Sequence, residues 1–405
     1  MAIWGYGYGS SDFARCQHSG IFTDVPYGDF AWRQAVRRDR AFAPTMTLNR
    51  LLLSRFRNHL DTALEGTARF NLLVGENGAG KTNVLEALSL FAPGRGLRRA
   101  ALPEMAAKDG GGGFAVSAEL NSASGAVRLG TGTLAERPAR RIVHVNGADS
   151  AANALGEWLS VGWLTPAMDR LFAEGPGARR RFMDRMVLAL EPGHARNAAR
   201  LENALRERGR LLSEEQMPDA RWFAAVEAQL AEAGALVAQA RARLVERLSA
   251  ALAALPDAPF ARPALAYQPG GPIEAEALAA ALAEGRRRDR AAQRSLTGPH
   301  RDELSVTMAG KDQPAGDCST GEQKAMLIAL TLAHSGLLDA ARPAVLLLDE
   351  VAAHLDPLRR EALFDRLRHG GAQVWLTGTE LAPFEAIAGE AAIWRVSDGA
   401  VERLG

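Results

Sequence analysis

Residues 70–82 read Phe-Asn-Leu-Leu-Val-Gly-Glu-Asn-Gly-Ala-Gly-Lys-Thr. The last eight of these, residues 75–82, match the phosphate-loop pattern G-x-x-x-x-G-K-[ST] without substitution. A short apolar run of strand type precedes the loop, and apolar residues at helical spacing follow it as far as residue 91. Because strand, glycine loop and helix are the context that this motif requires, the sequence predicts an α/β fold that binds a nucleoside triphosphate.

Each part of the loop has its own role in binding phosphate. Its glycines free backbone N–H groups to converge on phosphate oxygens at the positive end of a helix. The Lys81 ammonium is expected to reach the β- and γ-phosphates, and the Thr82 hydroxyl to ligate Mg²⁺. The chain has four lysines and forty-four arginines, so a lysine kept in this loop stands out. The predicted ATP-binding residues are Gly75, Glu76, Asn77, Gly78, Ala79, Gly80, Lys81 and Thr82.

A pair of acids near the C-terminus completes the predicted ATPase site. Residues 344–348 form a continuous apolar run, which is typical of a parallel strand buried on both faces, and Asp349-Glu350 follow directly. Beside a phosphate loop, Asp349 is expected to hold Mg²⁺ through water, and Glu350 to polarise the attacking water as the catalytic residue.

Composition narrows the class of protein without naming a partner. No apolar run approaches the ~20 residues needed to span a bilayer. Two widely separated cysteines, Cys16 and Cys318, indicate a reducing, cytoplasmic compartment. The net charge of +1 gives no overall attraction to nucleic acid, so any such binding must come from local patches.

The first 45 residues differ from the rest of the chain. They contain three of the four tyrosines and lack both periodic apolar patterning and the apolar segment of a signal peptide. Met46 then begins a well-patterned segment. Our hypothesis is that Met46 is the biological start and residues 1–45 a non-native extension; the alternative is a disordered native tail.

Four segments follow from the patterning along the chain. Residues 46–165 form the N-terminal part of the ATPase domain, with strand-like pieces near 114–120, 126–129 and 142–145 that predict an antiparallel subdomain. Residues 166–296 are mostly helical and are predicted to contain an antiparallel helical hairpin turned near residues 217–219. Residues 297–405 form the C-terminal part of the ATPase domain. The 1–45 extension is the fourth segment.

The segment Ser319-Thr320-Gly321-Glu322-Gln323 opens an apolar helix and resembles the signature motif of ABC-type ATPases. In that superfamily the motif caps the γ-phosphate bound by a second protomer, which assigns Ser319, Gly321, Glu322 and Gln323 to a site acting in trans. Ser319 and Glu322 also have the spacing of a capping box, and both interpretations can hold. Residues 353–356 occupy the place of the D-loop. Asp356 is the aspartate of that motif, and Ala353 replaces its usual serine.

Taken in order, these motifs resemble the structural-maintenance-of-chromosomes branch of ABC ATPases, and within it the RecF family. Further segments carry the resemblance: Phe56-Arg57-Asn58, Gly94-Arg95-Gly96-Leu97-Arg98, Leu164-Thr165-Pro166, residues 175–184 and Thr297-Gly298-Pro299-His300-Arg301. The resemblance covers residues 46–400 and implies an ABC-type ATPase head, with a mixed sheet and an antiparallel β subdomain, and an inserted helical lid. One departure is that Thr377-Gly378-Thr379 replaces the switch histidine, which leaves the γ-phosphate sensor open.

The resemblance also implies a function. ATP and Mg²⁺ would drive homodimerisation around DNA, particularly at junctions of duplex and single strand in gaps, and slow, DNA-stimulated hydrolysis would release it. Together with RecO and RecR, such a clamp supports recombinase loading in repair and replication and induction of the SOS response. The candidate DNA contacts are Arg95, Arg98, Arg99, Arg179, Arg180 and Arg181, which would bind phosphates without regard to sequence.

Two other functions remain open from the residues alone. One is a transport-coupled ATPase subunit, which the helical middle disfavours. The other is a nucleotide-switched scaffold that scarcely hydrolyses ATP, which the acid pair disfavours. Measuring ATPase activity with and without gapped DNA separates the three.

Overall fold

The computed structural model describes residues 47–108, 111–122, 125–216, 219–256, 258–338 and 342–404. The hypothesis about residues 1–45 and Met46 therefore lies outside the described residues, as do Met217 and Pro218 of the predicted hairpin turn. Within the described ranges, no helix is both long and apolar enough to cross a membrane.

A six-stranded sheet with the order β15-β14-β3-β13-β12-β8 forms the centre of the molecule. All its neighbours pair in parallel except β14 and β15. Its strands are β3 (Phe70–Val74), β8 (Ser160–Leu164), β12 (Ala344–Leu348), β13 (Gln373–Gly378), β14 (Ala391–Ser397) and β15 (Ala400–Arg403). The strands predicted at 70–74 and 344–348 are confirmed, and both are buried along their whole length, as parallel strands covered on two faces must be.

A second six-stranded sheet is antiparallel, with the order β2-β1-β4-β5-β6-β7. It comprises β1 (Thr47–Phe56), β2 (His59–Glu65), β4 (Phe114–Ser122), β5 (Gly125–Leu134), β6 (Arg137–Val145) and β7 (Ala148–Asp149). The antiparallel pieces predicted between residues 114 and 145 are confirmed as β4, β5 and β6.

The helices cover both faces of the central sheet or build the middle of the chain. They are α1 (Lys81–Ser89), α2 (Leu102–Met105), α3 (Leu155–Trp158), α4 (Pro176–Leu190), α5 (His194–Ser213), α6 (Ala220–Ala253), α7 (Ala275–Ala291), α8 (Thr320–Gly336), α9 (Pro357–His369) and α10 (Glu385–Ala388). Because side chains alternate along a strand, Phe70, Leu72 and Val74 of β3 face a core shared with α4, α6 and α8. Leu73 faces the other core, formed with α1 and the antiparallel sheet.

The predicted helical hairpin is confirmed as α5 and α6. Arg200 pairs with Glu232 and Arg208 with Glu227, so residue numbers rise on one helix as they fall on the other, and the helices are antiparallel. Arg208 has no exposed surface and also bonds Asp289 and Ser295, which supplies the partners that a buried guanidinium requires.

The middle of the chain also contains a strand that the helical interpretation of residues 166–296 omits. This strand, β9 (Pro263–Gln268), pairs with β10 (Glu303–Met308), which in turn pairs with β11 (Gln313–Pro314). Burial alternates along β9, but the sequence shows this poorly because alanines occupy the exposed positions 264 and 266. The pairing joins the helical segment to the chain that leads into α8.

His334, buried near the end of α8, makes the stability of the fold depend on pH. Its Nε2 donates to the carbonyl of Met186 at 2.9 Å, and burial lowers its pKa to about 4. As the pH falls below the ordinary value of about 6.5, the unfolded chain takes up a proton that the folded chain refuses. The free energy of unfolding should therefore fall between pH 6.5 and 4, by at most about 3 kcal/mol from this group.

Urea unfolding of His334→Gln at several pH values checks this prediction, because glutamine keeps a donor for Met186 but does not titrate. In this variant the free energy of unfolding should fall much less between pH 6.5 and 4. In His369→Gln, at an exposed position on α9, it should fall as in the unmodified protein. An unchanged pH dependence in His334→Gln would contradict the assignment.

Candidate nucleotide-binding site and basic surface

The phosphate loop joins the end of β3 to the start of α1. Gly75 and Gly80 both have positive φ, at 158° and 117°. A Cβ on Gly75 would lie 2.1 Å from the carbonyl oxygen of Val396, and one on Gly80 would lie 2.8 Å from the amide of Asn58. Side chains are therefore excluded at both positions, and the backbone itself lines the loop.

Two carbonyl groups at the end of the phosphate loop accept hydrogen bonds from residues outside the loop. The Ala79 carbonyl accepts from Asn58 Nδ2 and from the Gly399 N–H, both at 2.9 Å. The Gly80 carbonyl accepts from His59 Nε2 at 3.1 Å, and burial lowers the pKa of that imidazole. Because C=O and N–H point in opposite directions in a trans peptide, these bonds turn the N–H groups of Gly80 and Lys81 towards the inside of the loop.

Lys81 lies along the inside of the loop. Its Nζ donates to the carbonyls of Gly75 at 2.7 Å and Glu76 at 2.8 Å. The side chain is buried, which lowers the pKa of the ammonium, although Glu350 and Asp349 oppose that shift. A compact cation with three donors, held at this place, fits a phosphate group arriving in the loop.

The two acids follow β12 and lie beside the loop. Asp349 Oδ1 accepts hydrogen bonds from Thr82 Oγ1 at 2.9 Å and from Thr377 Oγ1 at 2.8 Å. Burial raises the pKa of this carboxyl, while the two hydroxyl bonds oppose the rise. A hydroxyl and a carboxylate in contact are hard oxygen donors, so the donor set of Thr82 and Asp349 fits Mg²⁺.

Glu350 lines the same cleft as the phosphate loop. This cleft of about 280 Å³ is lined by Asn77, Gly78, Gly80, Lys81, Thr82, Asn83, Arg98 and Glu350. The fold thus brings together predicted site residues that lie almost 270 positions apart in the chain, since Thr82 and Asp349 are in direct contact. Glu350 has a φ of 54°, a left-handed conformation that is strained for a residue with a side chain.

Arg98 lies in this cleft, although the sequence grouped it with candidate DNA contacts. Its Nη1 donates to Asn83 Oδ1 at 2.6 Å and to Glu86 Oε2 at 2.8 Å. Glu86, on the inward face of α1, has no exposed surface and also accepts two bonds from Arg57. Arg98 therefore faces the nucleotide cleft and shares one buried carboxylate with Arg57, so the cluster of these three side chains keeps a net positive charge.

The signature segment begins α8 with a capping box, as predicted. Ser319 Oγ donates to Glu322 Oε2 at 2.8 Å, and the Ser319 N–H donates to the same oxygen at 2.9 Å. Lys311 and these bonds lower the pKa of Glu322 to about 2. Ser319 and Gly321 are exposed, and a Cβ on Gly321 would meet no atom within 4 Å. The helix start is therefore open to an incoming group.

Gln323 and Asp356 have local structural partners. Gln323 is buried, and its Nε2 donates to the carbonyls of Cys318 at 2.8 Å and Gly316 at 3.3 Å, so it supports the turn before α8. Asp356, at the D-loop position, caps α9 by accepting from the Arg359 N–H at 2.9 Å.

The remaining candidate arginines divide into two groups. Arg179 makes two bonds to the Glu303 carboxylate, at 2.7 and 2.9 Å, and Arg180 donates to the Asp302 carbonyl at 2.8 Å. These two side chains tie α4 to the start of β10. Their charge is therefore less available to DNA than the sequence alone suggests.

Arg95, Arg99 and Arg181 form the second group, which we call the arginine patch. Burial lowers the pKa of Arg99, and the positive charges of Arg181 and Arg95 lower it further. Like charges act on one another in this way only when they are close, so the fold brings together two basic runs that are about 80 residues apart. All three residues are exposed.

The sequence predicted no contact of Asn58 or His59 with the loop and no place for Arg98 in the cleft. It left Thr377 open as one of three residues at the switch-histidine position, without its contact with Asp349. For Asn58 and His59 the sequence does contain a signal, because the polar run Arg57-Asn58-His59 interrupts two apolar strands. Thr377 gave a weaker signal, as a hydroxyl at the end of the predicted core strand.

The chain is similar in sequence to known proteins over most of its length. A family model described as the RecF/RecN/SMC N terminal domain matches residues 47–387. The DNA replication and repair protein RecF of Mesorhizobium japonicum is 46% identical over 372 residues, which cover 87% of this chain and 97% of that protein. The protein of the same name from Caulobacter vibrioides is 46% identical over 377 residues, with coverage of 87% and 97%.

Solved structures show the same fold. The recombination mediator protein RecF-ATP of the RecFOR pathway superposes with a TM-score of 0.80 at 22% identity, covering 91% of this chain and all of that one. An Smc head domain from Pyrococcus furiosus gives a TM-score of 0.50 at 15% identity and covers 89% of this chain and 96% of that one. The predicted fold class, an ABC-type ATPase head, is confirmed.

Proposed function

The chain belongs to the RecF family of DNA replication and repair proteins, and on that premise we propose that it is an ATP-dependent DNA clamp that acts as a recombination mediator. The observation that carries the proposal is the contact of Thr82 with Asp349 in a cleft that also contains Lys81 and Glu350. The same cleft therefore holds the backbone donors of the loop, the Lys81 ammonium, the two side chains that would bind metal and the general base Glu350.

Within that cleft, each side chain has one task in ATP hydrolysis. The inward N–H groups of the loop and the Lys81 ammonium bind the β- and γ-phosphates. Thr82 and Asp349 would hold Mg²⁺, which supplies charge neutralisation of the phosphates. Glu350 accepts a proton from the attacking water. Arg98 lines the same cleft and bonds Asn83 of α1, so it can contact the nucleotide as well.

The second half of each site comes from a second copy of the chain. The exposed start of α8, with Ser319 and Gly321, would cap the γ-phosphate of the partner. ATP therefore favours the dimer, and hydrolysis releases it. We assign residues 166–296 to a helical lid on this ATPase head, and residues 46–165 and 297–405 to the head itself.

The DNA-binding surface is assigned to the arginine patch. Two exposed arginines, Arg95 and Arg181, act on the charge of a third, Arg99, and together they form a site for a polyanion on the loop that follows α1 and on α4. Binding through phosphates would be independent of sequence, which suits gapped DNA and its junctions. The RecFOR pathway named for the solved relative suggests RecO and RecR as partners.

Neutralising the patch tests the DNA assignment. In the triple variant Arg95→Gln, Arg99→Gln, Arg181→Gln, the slope of log K against log salt for duplex DNA should become shallower by about 0.9 per lost phosphate contact. ATP affinity should stay within roughly twofold, because the patch is outside the nucleotide cleft. Fluorescence anisotropy at several salt concentrations measures both.

A matched control removes three exposed arginines of the antiparallel sheet instead. Arg128→Gln, Arg137→Gln, Arg140→Gln should leave the slope unchanged. Equal slopes for the patch variant and the unmodified protein would reject the patch as the DNA surface.

A further inference from the structure

Thr377 stands between the two acids of the ATPase site. Strand β13 pairs in parallel with β12, and Leu376 is the register partner of Leu348. The next residue on each strand is therefore Thr377 on one side and Asp349 on the other. Thr377 is 1% exposed, so its hydroxyl has no access to bulk water.

The hydroxyl bonds both acids at once. It donates its single proton to Asp349 Oδ1 at 2.8 Å, and its oxygen accepts from the backbone N–H of Glu350 at 2.9 Å. Since the proton is committed to the carboxylate, the lone pairs of the oxygen are left for the amide. The side chain thus fixes where the Asp349 carboxylate points and where the Glu350 backbone begins.

The bond to Glu350 acts on a strained residue. Left-handed backbone conformations are strained for residues with a Cβ, and they persist only where neighbouring groups hold them. At Glu350 this conformation goes with a side chain that lines the cleft beside Lys81 and Thr82. The Thr377 hydroxyl is the side-chain group that holds the amide of this residue among the described contacts.

We propose that Thr377 is the positioning residue of the acid pair: its hydroxyl sets the direction of Asp349 and holds Glu350 in the conformation that presents the general base. The proposal rests on the proposed function, because it takes Glu350 as that base. It also implies that Thr377 does not contact the γ-phosphate. Of its neighbours, Gly378 has no side chain, and Thr379 is exposed.

The test separates positioning from a structural role. Thr377→Val keeps the volume and removes the hydroxyl, whereas Thr377→Ser keeps the hydroxyl. We expect kcat for ATP hydrolysis to fall roughly 10- to 100-fold in the valine variant, with the Kd for ATP changed less than about threefold. The serine variant should regain most of the rate. A valine variant with normal kcat, or a serine variant as slow as valine, would overturn the proposal.

The control is Thr331→Val, another buried threonine, whose hydroxyl bonds the Leu327 carbonyl within α8. It should leave kcat unchanged. If Thr377→Val does not fold, Thr377→Ala takes its place, and the comparison with serine still decides the outcome.

A double variant distinguishes this inference from the proposed function. Thr377→Val should lower kcat by a smaller factor in the Glu350→Gln background than in the unmodified protein, because the part of its effect that passes through Glu350 is then already lost. An equal fold-loss in both backgrounds would show that Thr377 does not act through Glu350. Normal turnover in Glu350→Gln alone would instead refute the role of Glu350, while leaving the hydrogen bonds of Thr377 to be judged by the serine and valine comparison.

Discussion

Glu350→Gln should bind ATP normally and lose hydrolysis by roughly 10²- to 10⁴-fold, which is what a general base contributes. Glutamine keeps the size of the side chain and the left-handed backbone of residue 350, but it cannot accept a proton from water. The phosphate loop and the Lys81 ammonium are unchanged, so the substrate still enters. With ATP retained, the variant should accumulate as a stable dimer, visible by light scattering.

The control for this prediction is Glu246→Gln, which removes an exposed carboxylate on α6, away from the phosphate loop. It should hydrolyse ATP at the normal rate and dimerise only transiently. If Glu350→Gln were monomeric with normal turnover, Glu350 would not be the base and the composite site would be misassigned.

Lys81→Met should lose ATP-dependent dimerisation. A charged hydrogen-bond donor at the β- and γ-phosphates is worth about 1.5–3 kcal/mol, so ATP affinity should fall roughly 10- to 100-fold or more. Methionine fills the same space without the charge, and the fold should be retained. Isothermal calorimetry measures the affinity, and light scattering with ATP measures the dimer. Lys108→Met, at an exposed lysine outside the cleft, should change neither.

Mixing two inactive variants tests whether α8 acts on the partner. Ser319→Arg should bind ATP in its own loop but block the capping of a partner's nucleotide. A dimer of this chain with Lys81→Met has one site built from an intact loop and an intact signature, so some hydrolysis should return unless both sites must be filled. ATP crosslinking should label the Ser319→Arg chain. Its absence there would mean that Ser319 serves its own chain.

Local sequence predicted the parts of the site whose chemistry is fixed by neighbours in the chain. The phosphate loop between β3 and α1, the acids after β12 and the capping box of Ser319 and Glu322 each follow from a short pattern with a physical reason. The fold class was predictable as well, because a buried strand followed by a phosphate loop and a helix is typical of α/β nucleotide-binding folds.

Other features depend on which distant segments meet, and no short pattern contains that information. Asn58 and His59 can bond the carbonyls of Ala79 and Gly80 only because the turn between β1 and β2 lies beside the end of the phosphate loop. Arg98 turns towards Glu86, whereas Arg99 in the same short loop lies within reach of the charges of Arg95 and Arg181. Thr377 meets Asp349 only through the register of β12 and β13. The strand β9 is stabilised by β10, which lies beyond the helix α7.

The position of β3 in the central sheet has a consequence for synthesis of the chain. Its two hydrogen-bonded neighbours, β13 and β14, are translated roughly 300 residues later, which takes about 15 to 60 s at elongation rates of about 5–20 residues per second. Until then the apolar strand before the phosphate loop has two unpaired edges, which is the kind of segment that chaperones protect. Asn58 and His59 are translated before the loop and can hold its end, but the bonds of Gly75 to the Gly378 carbonyl and of Ala79 to the Gly399 amide must wait for the C-terminal part of the chain. A nascent chain that stops before residue 373 therefore carries the whole phosphate-loop sequence but lacks these two anchors.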